Sequence, residues 1–186
     1  MSQSLFGGAI VIPLGKSFLD ASQFRQVPDN QEVFVDTITQ QSLIVELLEQ
    51  VDAQDQDIAR FHFQQLSDDN EAAQSSVLYV ERFNPQEITP FLPHDTTEVY
   101  ILHGKQHISK FNEKEDALNT VDIILVVLRL RQVETDCVIS INVPTQVAPS
   151  SSESAISFVQ SNEESVREEI MALLKGFQVK NWDLFG

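Results

Sequence analysis

Val121 to Leu128 (VDIILVVL) places seven apolar side chains in eight consecutive positions, with no polar–apolar alternation. Successive side chains of a strand point to opposite faces of its sheet, so such a run needs apolar cover above and below. No stretch approaches the roughly 18 apolar residues of a membrane span, so the cover must come from the chain's own elements. A chain of 186 residues with 42% hydrophobic content can supply it. At that length one domain buries about 70% of its unfolded surface. The expectation is therefore a sheet held between two layers.

The remaining pattern supplies the parts. Ala9–Leu14, Val33–Ile38, Val77–Phe83 and Val99–Ser109 read as strands, the last with a turn or bulge near Gly104. Cys137–Val143 alternates, with Ile139, Ile141 and Val143 on one face. Ser42 can cap a helix in which Leu43, Ile44, Leu47, Leu48 and Val51 form a stripe and Glu46 faces outward. Asp55–Gln65 reads as a second helix, with Ile58, Phe61 and Leu66 inward. A last helix opens on a Ser161/Glu164 capping box and carries Val166, Ile170, Leu173, Leu174 and Phe177 inward, with Gly176 near its end. Trp182, Leu184 and Phe185 form an apolar tail expected to dock on the core. The serine-rich stretch 145–160 reads as a mobile loop within one domain, 1–186. The fold class is α/β (α+β): a mostly antiparallel sheet of about six strands in an α/β/α sandwich.

Charge and cysteine content narrow the function. The 28 acidic and 12 basic residues leave a net charge of −16. That surface repels phosphate backbones and anionic membranes and attracts basic partners, so nucleic acid is not expected as a partner. Cys137 is the single cysteine, which excludes an intrachain disulfide and fits a reducing, nucleocytoplasmic setting. Residues 1–20 lack a basic region followed by a compact apolar core, so no signal peptide is expected.

Recognisable catalytic or metal motifs fail on inspection. Gly15-Lys16-Ser17 resembles the end of a phosphate-binding loop, but that motif needs glycine where Ile10 stands. A calcium loop opened at Asp52 would need glycine in place of Asp57 and glutamate in place of Phe63. His103 and His107 lie on a strand, where that spacing separates them by about 13 Å, too far to share a zinc ion. No Gly-x-Ser-x-Gly elbow is present. The segment left is Phe24–Glu32, between the first two strands. Pro28 restrains it, and Asp29-Asn30-Gln31-Glu32 places two carboxylates three positions apart across a turn. A preorganised acidic pair binds lysine or arginine at lower entropic cost than a mobile one. The plainer alternative is an ordinary turn in which Asp29 bonds its own backbone.

Several stretches resemble one family. They are LFGGAI (5–10), FLDASQFRQVPDNQEVFV (18–35), SLIVELLE (42–49), LRLRQVETDCVISINVP (128–144) and the ending WDLFG. Together they are similar to the Ran guanine-nucleotide release factors, the Mog-type proteins. The resemblance implies a PsbP-like sandwich, binding to the small GTPase Ran, release of its guanine nucleotide without an enzymatic reaction or cofactor, and a nuclear and cytoplasmic location. In vertebrate-type relatives it implies a link to a membrane-channel loop as well. The family's acidic Ran-binding residues fall on Asp29 and Glu32, with Asp20, Arg25, Asn30 and Gln31 as supporting contacts. A monomer is expected. The alternative is an acidic adaptor that binds Ran or a channel loop without exchange activity.

Overall fold

The computed structural model describes residues 1–108, 119–146 and 162–186. Seven strands form the main sheet: β3 (Phe18–Asp20), β4 (Gln31–Asp36), β5 (Ser42–Glu49), β6 (Gln74–Phe83), β7 (Thr97–Ile108), β8 (Asn119–Leu130) and β9 (Thr135–Gln146). Their order is β3-β4-β5-β9-β8-β7-β6. A smaller sheet joins β1 (Ser2–Leu5), β2 (Ile10–Pro13) and β10 (Gln178–Val179). Every pairing in both sheets is antiparallel. Helices α1 (Gln56–Asp69), α2 (Pro85–Ile88) and α3 (Glu163–Lys175), with several short 3-10 turns, complete the described elements.

The apolar run lies in β8, and it is covered on both faces. Ile123, Leu125 and Val127 pack with Ile58, Ala59 and Phe63 of α1. Ile124, Val126 and Leu128 join a larger cluster with Ile10 and Ile12 of β2 and Val166, Ile170, Leu173 and Leu174 of α3. One layer is thus a helix, and the other is α3 together with the small sheet. Trp182, Leu184 and Phe185 pack against the larger cluster. Cys137 is fully buried there, and desolvation followed by the charge of Asp136 pushes its thiol pKa up to about 12.

The helix expected from Ser42 to Val51 is instead strand β5. It lies between β4 and β9, paired to both. Leu43 and Val45 face the larger cluster, while Leu48 packs against the smaller one. A strand apolar on both faces produces the same run of hydrophobic residues as a helical stripe, and β-branched Ile44 and Val45 favour the strand. The main sheet has seven strands where about six were expected: β5 and β3 are added, while the expected strand Ala9–Leu14 lies in the small sheet as β2. The Asp55–Gln65 helix is present as α1, with Ile58 and Leu66 inward as expected; its buried residues are Ile58, Ala59, His62, Phe63 and Ser67, while Phe61 is exposed. Successive residues turn by about 100°, which places Phe61 outside an arc centred on residues 58 to 66. Ser161 and most of the 145–160 loop lie outside the described residues. Asn162 caps α3, accepting the Glu164 N–H at 3.0 Å.

Strand β7 runs unbroken through Gly104, and the irregularity expected there occurs in β6 opposite it, between Val77 and Tyr79. A Cβ on Gly104 would meet the Phe63 ring at 2.6 Å and the Ser76 carbonyl oxygen at 2.9 Å. The absent side chain is what lets α1 approach the sheet.

An ionic cluster closes one end of the core. Arg129 and Asp136 face each other across β8 and β9. The guanidinium grips the carboxylate through two bonds of 2.8 and 3.0 Å. Its remaining N–H groups donate to the carbonyls of Val51 and Ala53, each at 2.8 Å. Asp136 also accepts the Val51 N–H at 3.2 Å and contacts His62 Nε2 of α1 at 2.9 Å. Burial alone would raise the Asp136 pKa, but the bonds from His62, Arg129 and Val51 outweigh it and hold the carboxyl below its ordinary value.

Two predictions follow from this packing. Gly104→Ala forces either Phe63 or the β6 backbone to move, and is expected to lower unfolding free energy by about 1–3 kcal/mol in urea titration. Asp136→Asn leaves Arg129 buried without its counter-charge and is expected to cost about 3–5 kcal/mol. Because the folded-state pKa of Asp136 is depressed, its contribution is full above the unfolded carboxylate range and fades as pH falls through the lower folded value. Asp136→Asn should therefore flatten the acid limb of a stability–pH profile. An unchanged limb would remove this cluster from the account of acid unfolding.

Candidate partner-binding site

The candidate residues run from the end of β3, through its connection to β4, to the start of β4. Asp20 ends β3 and caps the short 3-10 turn Ala21–Gln23, its carboxylate accepting the Ser22 N–H at 2.8 Å. The chain then runs along the sheet edge through exposed Phe24 and Arg25, whose N–H groups both donate to the Ala21 carbonyl at 3.0 Å. Among the described residues the Arg25 side chain has no carboxylate partner.

Pro28 to Gln31 form a turn closed by the Gln31 N–H on the Pro28 carbonyl at 2.9 Å. The turn is also fastened to β5. Leu47 N–H donates to the Asn30 carbonyl at 2.9 Å, and the Asn30 carboxamide donates to the Leu47 carbonyl at 3.2 Å. Glu46 accepts from the side chains of Gln31, at 2.8 Å, and Asn30, at 3.5 Å. Pro28, Asp29 and Asn30 are exposed, and the Asp29 carboxylate has no partner among the described residues. The turn is therefore held at its base, while its acidic tip faces solvent.

Glu32 is placed differently. It is one residue into β4, so its side chain leaves on the opposite face from Gln31. There it is half-buried, and its carboxylate accepts the Phe6 N–H at 2.5 Å. That bond ties the β1–β2 connection to the edge of the main sheet. Asn30 and Gln31 are thus gathered at Glu46, while Asp20 and Glu32 each hold a backbone N–H. Asp29 is the exposed, uncommitted carboxylate of the set.

Glu46 belongs to this site although the helical period of Ser42–Val51 sets it on an outer helix face. Read at period two, Leu43, Val45 and Leu47 share one face and Ile44, Glu46 and Leu48 the other, with Glu46 opposite Gln31. Phe24 carried a simpler signal, an aromatic residue in an otherwise polar connection. His103 and His107 lie along β7, as expected. His103 Nδ1 lies 3.3 Å from the Tyr79 hydroxyl, and His107 Nδ1 lies 3.2 Å from the Thr120 hydroxyl.

Comparison with known proteins gives this geometry its context. The family model described as Ran-interacting Mog1 protein matches residues 3–144. The chain is 41% identical over 159 residues to a Ran guanine nucleotide release factor of Danio rerio, covering 83% of this chain and 84% of that protein. It is 32% identical over 154 residues to the nuclear import protein mog1 of Schizosaccharomyces pombe, covering 80% and 81%. The crystal structure of the Ran-binding protein Mog1p of Saccharomyces cerevisiae superposes with a TM-score of 0.73 at 29% identity, covering 100% of this chain and 98% of that one. With the family model covering most of the chain and a relative 41% identical across most of both lengths, the chain belongs to the Ran-interacting Mog1 protein family.

Proposed function

We propose that this chain binds the small GTPase Ran and promotes release of its guanine nucleotide, acting in nucleocytoplasmic transport between nucleus and cytoplasm. The observation that carries the reading is family membership over most of the chain, with relatives named for Ran and for nuclear import. The fastened turn with its free carboxylate supports the location of the contact. We assign the direct contact to Asp29, with Asn30, Gln31 and Arg25 around it. Asp20 and Glu32 shape the segment, and Glu32 adds negative charge behind the turn.

Linkage sets what such a factor must do. It lowers nucleotide affinity only if it binds nucleotide-free Ran more tightly than loaded Ran, and the coupling is reciprocal. A hundredfold weakening of nucleotide corresponds to about 2.7 kcal/mol of coupling. GTPases hold their phosphates with a lysine and magnesium, so the surface near the nucleotide is rich in cationic groups that a carboxylate can engage. Asp29 on a preformed turn makes that contact without first ordering a loop. No bond is made or broken in this mechanism, so it requires no nucleophile or general base from the chain.

The two carboxylates separate in experiment. Asp29→Ala is expected to retain wild-type stability and to slow stimulated release of a fluorescent nucleotide from Ran by roughly tenfold or more. Glu32→Ala is expected to lower release and also to cost about 1–2 kcal/mol of stability, because the Phe6 N–H loses a charged acceptor. Wild-type release by a folded Asp29→Ala protein would overturn the assignment. Binding to Ran with no effect on release in the unmodified protein would leave an adaptor in place of a release factor.

A further inference from the structure

The two faces of the main sheet are unequally covered. Helix α1 lies against β6, β7 and β8. On that same face the β3–β4 edge presents the cross-strand neighbours Leu19 and Val35, which remain 44% and 36% exposed. Phe24, immediately after the 3-10 turn, is 75% exposed. These three side chains line one hollow of about 550 Å³, with Arg25 also in its lining. In a chain with a net charge of −16, an apolar hollow bearing an arginine that has no carboxylate partner among the described residues calls for an occupant.

Phe24 of the hollow and Asp29 of the turn lie five residues apart in the connection 21–30, so they are at most about 18 Å from each other, within the breadth of one interface. A partner must reach further than the turn in any case. A stable interface buries roughly 800 Å² per partner, which a four-residue turn cannot supply. Exposed aromatic side chains beside charged groups are the usual anchors of such surfaces.

We propose that the hollow lined by Leu19, Phe24 and Val35 is the apolar anchor site for the same GTPase, a proposal that rests on the Ran reading above. It takes an apolar side chain of the partner, with an acidic group of the partner against Arg25 and a basic one against Asp29. The recognised surface therefore combines acidic, apolar and basic groups. Electrostatics steer the encounter and set its register, while burial of Phe24 supplies most of the persistence.

The test is binding to nucleotide-free Ran over a range of salt concentrations, with Phe24→Ala, Arg25→Glu and Asp29→Asn compared with wild type. All three positions are exposed, and unchanged unfolding midpoints establish that the variants are folded. Phe24→Ala is expected to weaken binding at least tenfold, mainly through faster dissociation, while leaving the salt dependence as in wild type. Arg25→Glu and Asp29→Asn are expected to weaken binding and change its salt dependence. Wild-type affinity in Phe24→Ala, alongside a loss in Asp29→Asn, would overturn the hollow and leave the turn standing. Self-association of the wild type that Phe24→Ala abolishes, with Ran binding intact, would assign the hollow to a second copy and overturn the proposal. Failure of wild type to bind Ran at all would remove the underlying reading, and the hollow with it.

Discussion

The buried contact between Arg129 and Asp136 links parts of the chain that lie far apart in sequence. It spans β8 and β9, two of the central strands, and its spare hydrogen-bonding groups reach Val51, Ala53 and His62. Those three positions lie on the connection from β5 into α1 and on α1 itself. One ion pair therefore connects the β8–β9 ladder, the path out of β5 and the seat of the helix. A charge pair of this kind is a weak source of net stability, since desolvation offsets most of the attraction. Its value here is positional: once the surrounding apolar packing is paid for, each partner demands the other in one arrangement.

That arrangement sets the edge from which the candidate site projects. β5 is held on one side by β9 and on the other by β4, and β5 is the strand that anchors the Pro28–Gln31 turn. The turn is rigid because Asn30 and Gln31 spend their polar groups on Leu47 and Glu46. Asp29 is left with none of that work. The division between residues that hold the turn and the residue that faces outward is what supports the proposed contact at Asp29.

Much of this was legible in the sequence. The unalternating run at Val121–Leu128 demanded two covering layers, and two are present. Pro28 with Asp29, Asn30 and Gln31 marked a turn, and a turn is there. Two points could not be read locally. Ser42–Glu49 satisfies a helical stripe and a doubly buried strand equally well, and only pairing with β4 and β9 decides between them. Glu32 looked equivalent to Asp29 by charge and spacing, but the period-two geometry of β4 sends it to the other face, where Phe6 meets it. Both distinctions depend on partners distant in sequence, which composition and periodicity do not record.

The insulation of Cys137 has a practical side. A lone thiol packed inside the larger cluster and raised to a pKa of about 12 is almost wholly un-ionised near neutrality, and no reagent reaches it in the closed fold. Its alkylation rate thus counts excursions in which the central strands come apart, giving the molecule a built-in clock of global opening. The same silence frees cysteine chemistry for use elsewhere. A fluorophore on a thiol introduced at the exposed tip of the turn would report from that position alone.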